Sequence, residues 1–179
     1  MRLTHHRWAL PVLEACSGKT GVRFAELQAA VPASRQPLRD AVLALVELGW
    51  ISKHGGHGHP LRPEYLITEE GALLAKAATS LQSALDRSEW SDLLLRKWSL
   101  PVLAALLGGA ERFNAVRNVL TADGVKPTPR ALALALADLE SAGLVRRDVA
   151  PGKPPSTRYG STIPAGLRKA LEGVLVALT

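Results

Sequence analysis

The sequence predicts a mainly helical α+β protein with small β-hairpins, built as two similar units in tandem. Three observations carry this. First, the segment Trp8-Ala9-Leu10-Pro11-Val12-Leu13 returns 90 residues later as Trp98-Ser99-Leu100-Pro101-Val102-Leu103. Further along, Arg23-Phe24 answers to Arg112-Phe113, Leu48-Gly49-Trp50-Ile51 to Ala142-Gly143-Leu144-Val145, and Tyr65 and Thr68 to Tyr159 and Thr162. The offset drifts between 89 and 94, so short insertions separate the copies while the order holds. A period this long marks a duplicated small domain, because solenoid units repeat every 20–50 residues or so. Second, Ala and Leu dominate a chain that is 47% apolar, which favours helix. Third, Pro and Gly stand where helices should start and stop. The expected units are residues 1–88 and 89–179.

In the first unit, helices are expected near Trp8–Ser17, Phe24–Ala30 and Ser34–Leu48. A hairpin follows, with strands Trp50–Lys53 and Tyr65–Thr68 and a glycine-rich tip at Gly55–Gly58. A long helix from Glu69 to Arg87 then shows Leu73, Leu74, Ala77, Leu81 and Leu85 as its apolar face. In the second unit, Ser91 to Lys97 leads into Trp98. Pro101 lies in the first turn of a helix that runs to Leu107, where proline is tolerated because first-turn amides lack partners. Gly108-Gly109 ends it. Arg112-Phe113-Asn114 opens a short helix with Phe113, Val116 and Leu120 on one side, and Thr121–Gly124 makes a turn. Thr128 caps a third helix with Pro129 at its first position. Its apolar stripe is Leu132, Leu136 and Leu139, and Gly143 stops it. Leu144-Val145 begins a strand, Arg146 to Thr157 reads as a polar loop, and Tyr159–Thr162 returns as a strand. The last helix, Pro164–Leu178, carries Leu167, Leu171, Val174, Leu175 and Leu178 on one side.

Each unit is thus a helix-turn-helix followed by a β-hairpin wing. With Lys97-Trp98, Gly108-Gly109, Arg112-Phe113-Asn114, Leu139 to Val145 and Tyr159 to Thr162, the second unit resembles the HxlR-type winged helix-turn-helix transcription regulators. The first resembles them through Arg7-Trp8, Arg23-Phe24, Leu45 to Ile51 and Tyr65 to Gly71. The resemblance implies double-stranded DNA as partner. It also implies dimer-like contact through first and last helices, here within one chain. The expected form is a monomer with an internal pseudo-two-fold, in which the helix at Leu73–Leu85 packs on that at Leu167–Leu178; further dimerisation is open. Several family members sense oxidants through a Cys just before the Trp. This chain has His5 and His6 there, so that role is not carried over, and Cys16 reads as a small core residue.

The net charge is +6 with a pI near 9.9, the footprint of a nucleic-acid binder. Residues 90–179 hold 12 Lys and Arg against 7 Asp and Glu, residues 1–89 only 10 against 9. The groove-facing positions of the first recognition helix are Ser34, Arg35, Gln36 and Arg39; Arg suits guanine and Gln adenine. Those of the second are Lys126, Thr128 and Arg130, followed by a run of Ala and Leu that offers no hydrogen bond to a base. Such a helix touches mostly phosphate. The wings add Lys53, His54, His57 and Arg62 in one unit and Arg146, Arg147, Lys153 and Arg158 in the other. Trp50 and Trp90 are candidates to line a junction that holds a small hydrophobic effector. His54, His57 and His59 sit in a loop that does not enforce metal geometry, so neither metal nor cofactor is expected. No catalytic motif is present and the protein is read as not an enzyme. One Cys and the lack of an apolar run of about 18 residues suit a cytoplasmic protein without membrane contact. The expected function is a sequence-specific regulator, a repressor, at a non-palindromic site. The alternatives are a protein that senses or sequesters a hydrophobic drug at its junction and a protein-interaction scaffold of tandem winged helices.

Overall fold

The computed structural model describes residues 8–55, 63–124, 126–152 and 155–177. Helix α1, Ala9–Cys16, starts after Trp8, and Pro11 falls within its first turn, where no intrahelical amide bond is lost. Helix α2, Phe24–Ala30, and helix α3, Arg35–Glu47, follow. Strands β2, Ile51–His54, and β3, Glu64–Ile67, pair antiparallel, Ile51 opposite Ile67 and His54 opposite Glu64. A two-residue strand that the sequence reading did not foresee, β1 at Val22–Arg23, adds to the free edge of β3. It places Arg23 3.4 Å from Glu64. Helix α4, Glu69–Asp86, is capped by Thr68, whose hydroxyl accepts from the Gly71 amide, with Glu69 and Glu70 at the positive end of its dipole.

The chain continues through a single-turn helix α5, Ser91–Leu94, into α6, Ser99–Leu107, with Pro101 again in the first turn. Helices α7, Phe113–Ala122, and α8, Pro129–Ser141, precede strands β4, Val145–Ala150, and β5, Ser156–Ser161. The last helix is α9, Ala165–Ala177. Two expectations are corrected here. Helix α7 continues through Thr121 and Ala122, read as the start of a turn. The stretch from Arg146 to Thr157 is largely not a loop: β4 and β5 pair in register from Val145–Ser161 to Ala150–Ser156. Polar side chains show only that this hairpin stands in water, and its ladder is held by backbone bonds that polarity does not report.

The join from helix to hairpin is built the same way at two places. Gly49 after α3 and Gly143 after α8 have φ of +75° and +72°, where only glycine is unstrained. The Thr68 hydroxyl donates to the Gly49 carbonyl at 2.8 Å, and the Thr162 hydroxyl to the Gly143 carbonyl at 2.8 Å. The Thr68 amide donates to the Trp50 carbonyl and the Thr162 amide to that of Leu144, at 3.1 and 2.9 Å. The amides of Trp50 and Leu144 turn back onto the Leu45 and Leu139 carbonyls. Each atom pair has its counterpart 94 residues on. The buried positions of α3, Leu38, Ala41, Val42 and Leu45, recur at the same spacing in α8 as Leu132, Ala135, Leu136 and Leu139.

One continuous cluster of buried residues runs through the described chain. Helix α4 packs on α1 and on α9, and α9 also reaches α6. The face of α4 that does this is Leu74, Ala75, Ala78, Leu81 and Leu85. The expected face is corrected at one position: Leu73 is 65% exposed. Leu73 and Leu74 point about 100° apart on the helix, and the α1 and α9 contacts lie on the side of Leu74. The small Ala75 and Ala78 let the neighbouring helices approach closely. Cys16 is buried on α1, and that burial pushes its thiol up to about 11, with Lys19 pulling slightly the other way.

A Cβ on Gly71 would overlap the Trp50 carbonyl, backbone against backbone. Gly71→Ala should therefore lower the unfolding free energy by about 2 kcal/mol or more in urea titration. Gly173→Ala, in open space inside α9, should raise it by roughly 0.5–1 kcal/mol. Cys16 should resist a thiol reagent at neutral pH in the native protein and react at once in denaturant. Because its pKa is raised on folding, the stability that its neutral form contributes is complete below the ordinary thiol pKa. It fades as the pH rises through about 11.

Candidate nucleic-acid interface

The first turns of α3 place four of the expected residues together. Ser34 precedes the helix, and Arg35, Gln36 and Arg39 are all exposed. Pro37 stiffens this turn without loss of a helical bond. Gln36 is not idle: its amide donates to the Asp40 carboxylate one turn on, at 2.8 Å. Arg39 lies within electrostatic reach of Tyr65, whose phenol is pushed up by burial and drawn part-way back by that guanidinium.

In α8, the Thr128 hydroxyl accepts from the Ala131 amide at 3.2 Å, and Pro129 takes the first helical position. Lys126 and Arg130 flank this cap and are exposed. The unpaired amides of a helix start favour anions, and the adjacent cations add to that field. Beyond Arg130 the exposed positions are Ala133, Leu134 and Ala137, then Glu140 and Ser141 in the last turn. Asp138 is engaged at the side by Arg96, 2.8 Å away.

The hairpin β4–β5 packs against α8 through β4 and carries Arg146, Arg147 and Arg158, all exposed. These stand on strands, not in a loop, so their spacing is set by the ladder: Arg147 faces Tyr159 and Asp148 faces Arg158 across it. Arg146 is held by Asp148 at 2.8 Å and Arg158 lies 3.8 Å from Glu111. Exposed pairs of this kind are weak and exchange readily for phosphate. On β2, Lys53 and His54 are exposed, and the His54 ring contacts the Ser52 hydroxyl at 3.0 Å. His57, Arg62 and Lys153 lie outside the described residues. Two cations not singled out as contacts from the sequence, Arg112 before α7 and Arg117 on it, are also exposed. Their position on the helix preceding the recognition helix was the signal available.

A cleft of about 1020 Å³ opens between α4 and α9. Trp90 lines it with Ala84, Leu167 and Ala170, and Arg87 and Lys169 stand at it as well. Trp50 is not among its lining residues; it is half-buried against the core beyond α3, and its carbonyl holds Thr68. The expected Trp50–Trp90 pair is therefore not one site. Among the described residues, no helix is long and apolar enough to cross a membrane.

Residues 93–179 match the HxlR-like helix-turn-helix family. Over 87 residues the chain is 34% identical to an uncharacterized HTH-type transcriptional regulator of Synechocystis sp. (strain ATCC 27184 / PCC 6803 / Kazusa). That alignment covers 49% of this chain and 59% of the relative, so the chain spans somewhat over half of the relative's length. The matched residues 93–179 hold helix α7, helix α8 and hairpin β4–β5, in the order of a winged helix-turn-helix, and this part of the chain is similar to the HxlR-like helix-turn-helix family.

Proposed function

We propose that this protein is a sequence-specific double-stranded DNA-binding transcriptional regulator. In this reading residues 1–88 and 89–179 are two winged helix-turn-helix units. They form an intramolecular pseudo-dimer about the α4–α9 contact and meet a non-palindromic site with α3 and α8. The carrying observation is the exposed α8 start, with Lys126 and Arg130 beside the arginines of β4–β5, inside the segment that matches a helix-turn-helix family. The 94-residue recurrence of the glycine–threonine join supports giving α3 the same role. Two such helices held in one chain suit half-sites about one turn of DNA apart, on the order of 34 Å. Occupancy of promoter DNA by this body acts as repression, by exclusion of other proteins from the same turns.

The cleft at Trp90 favours a second reading of the same protein, that a small hydrophobic effector binds between α4 and α9 and alters the spacing of the two units. It predicts a change in Trp90 fluorescence on effector addition that Trp90→Phe abolishes.

The test of the main reading is fluorescence anisotropy with duplexes selected from a random-sequence pool. Affinity should fall steeply with salt, by about 0.9 log units per log unit of salt for each phosphate contact released. Arg147→Ala should weaken all duplexes alike and reduce that slope by about one contact. Arg35→Ala should cost about 1–3 kcal/mol on the selected site and less on scrambled DNA. Equal, weak binding of selected and scrambled duplexes would remove the regulator reading.

A further inference from the structure

We infer that the exposed apolar face of α8 reads thymine through its C5 methyl group; this rests on the DNA-binding reading above. The argument starts from two helices with the same buried side and different exposed sides. At the 94-residue spacing that superposes their cores, Arg39 in α3 corresponds to Ala133 in α8, Asp40 to Leu134, and Leu43 to Ala137. All six are exposed. Where α3 offers a guanidinium and a carboxylate, α8 offers methyl groups. Leu134 is 56% exposed, a large aliphatic side chain left in water on the face that points away from the core.

The surroundings select the occupant. Lys126 and Arg130 precede this face, and β4, which packs on α8, brings Arg147 together with Arg146, the latter paired with Asp148. The one acid beside Leu134's turn, Asp138, is neutralised by Arg96. An apolar strip set among cations fits a ligand that is anionic at its edges and apolar at its centre. Duplex DNA meets both conditions: phosphates border the major groove, and the thymine methyl is the apolar group a base pair shows there. The division of labour follows. Helix α3 selects by hydrogen bonds, and α8 selects A·T pairs by their methyl groups.

The experiment takes a duplex selected by the full chain from a random-sequence pool and resynthesises one half-site with deoxyuridine for thymidine. That exchange removes the methyl and keeps the base pair. In anisotropy titrations, the half-site read by α8 should lose roughly fourfold in affinity for each methyl contacted. Leu134→Asn, a surface change checked for fold by circular dichroism, should bind thymine and uracil duplexes alike; Arg39→Ala should keep the discrimination. Equal wild-type affinity for both duplexes, or discrimination undiminished in Leu134→Asn, overturns the methyl reading and leaves DNA binding intact. A pool that enriches no sequence overturns the DNA reading itself. Leu134-dependent self-association in light scattering would then give the face to a second copy of this chain.

Discussion

The left-handed glycine and its threonine decide where each hairpin stands. A recognition helix is useful only if the elements around it are fixed relative to it. The helix must therefore end in one place and the chain must leave in one direction. Gly49 and Gly143 supply the turn that no residue with a Cβ takes without strain. Thr68 and Thr162 then return from the far strand to close it, hydroxyl and amide each donating to a carbonyl of the turn. Both carbonyls would otherwise be orphans at a helix end. The join thus satisfies backbone groups and sets geometry with the same bonds. In the first of the two places Thr68 does more, because its hydroxyl also accepts from Gly71 and so starts α4.

From that start α4 carries the consequence across the molecule. Its buried face sets the small Ala75 and Ala78 among Leu74, Leu81 and Leu85, and it packs on α1 and on α9. Close approach of helices through small residues gains contact area per residue and leaves little freedom in their spacing. The distance between the α3 face and the α8 face is therefore a property of the core rather than of a linker. The cleft beside Trp90 lies along this same contact. On the effector reading proposed above, a molecule that fills it would act on that spacing, which is the physical link between the two readings of function.

Much of this was legible in the sequence because it is local. Thr128-Pro129 marks the start of α8, Gly143 its end, and Leu132, Leu136 and Leu139 its buried stripe; caps and periodicity report on a few neighbouring residues. What escaped was non-local. Strand β1 exists only because β3, some 40 residues on, offers an open edge. The outer part of β4–β5 has no apolar alternation, since both its faces meet water, and is held by its own ladder. Leu73 and Leu74 fit the helical pattern about equally until a partner helix chooses between them. In the candidate site, the residue types at Arg35 and Arg130 were readable, but the hold of Asp40 on Gln36 and of Arg96 on Asp138 was not. The second of these pairs joins side chains 42 residues apart.

The proposed arrangement also accounts for the pattern of change between the two recognition helices. In a symmetric homodimer one sequence supplies both readers, so any substitution in the reading face acts on both half-sites at once. The operator is held to a palindrome, and assembly depends on protomer concentration. Two units in one chain are free of both constraints. The partner's effective concentration is set by the covalent link, and each face answers to its own half-site. Under those conditions the buried positions change little, three of the four paired ones being identical and Val42 answering to Leu136, because a core penalises changes in volume. The exposed positions are free to part. Leu45 and Leu139 remain the same residue 94 positions apart, while Arg39 and Ala133 do not. The +5 charge of residues 90–179 against +1 for residues 1–89 follows the same division. A helix that reads by methyl contact makes few polar bonds of its own, and the arginines of its neighbouring hairpin supply the attraction to phosphate that it lacks.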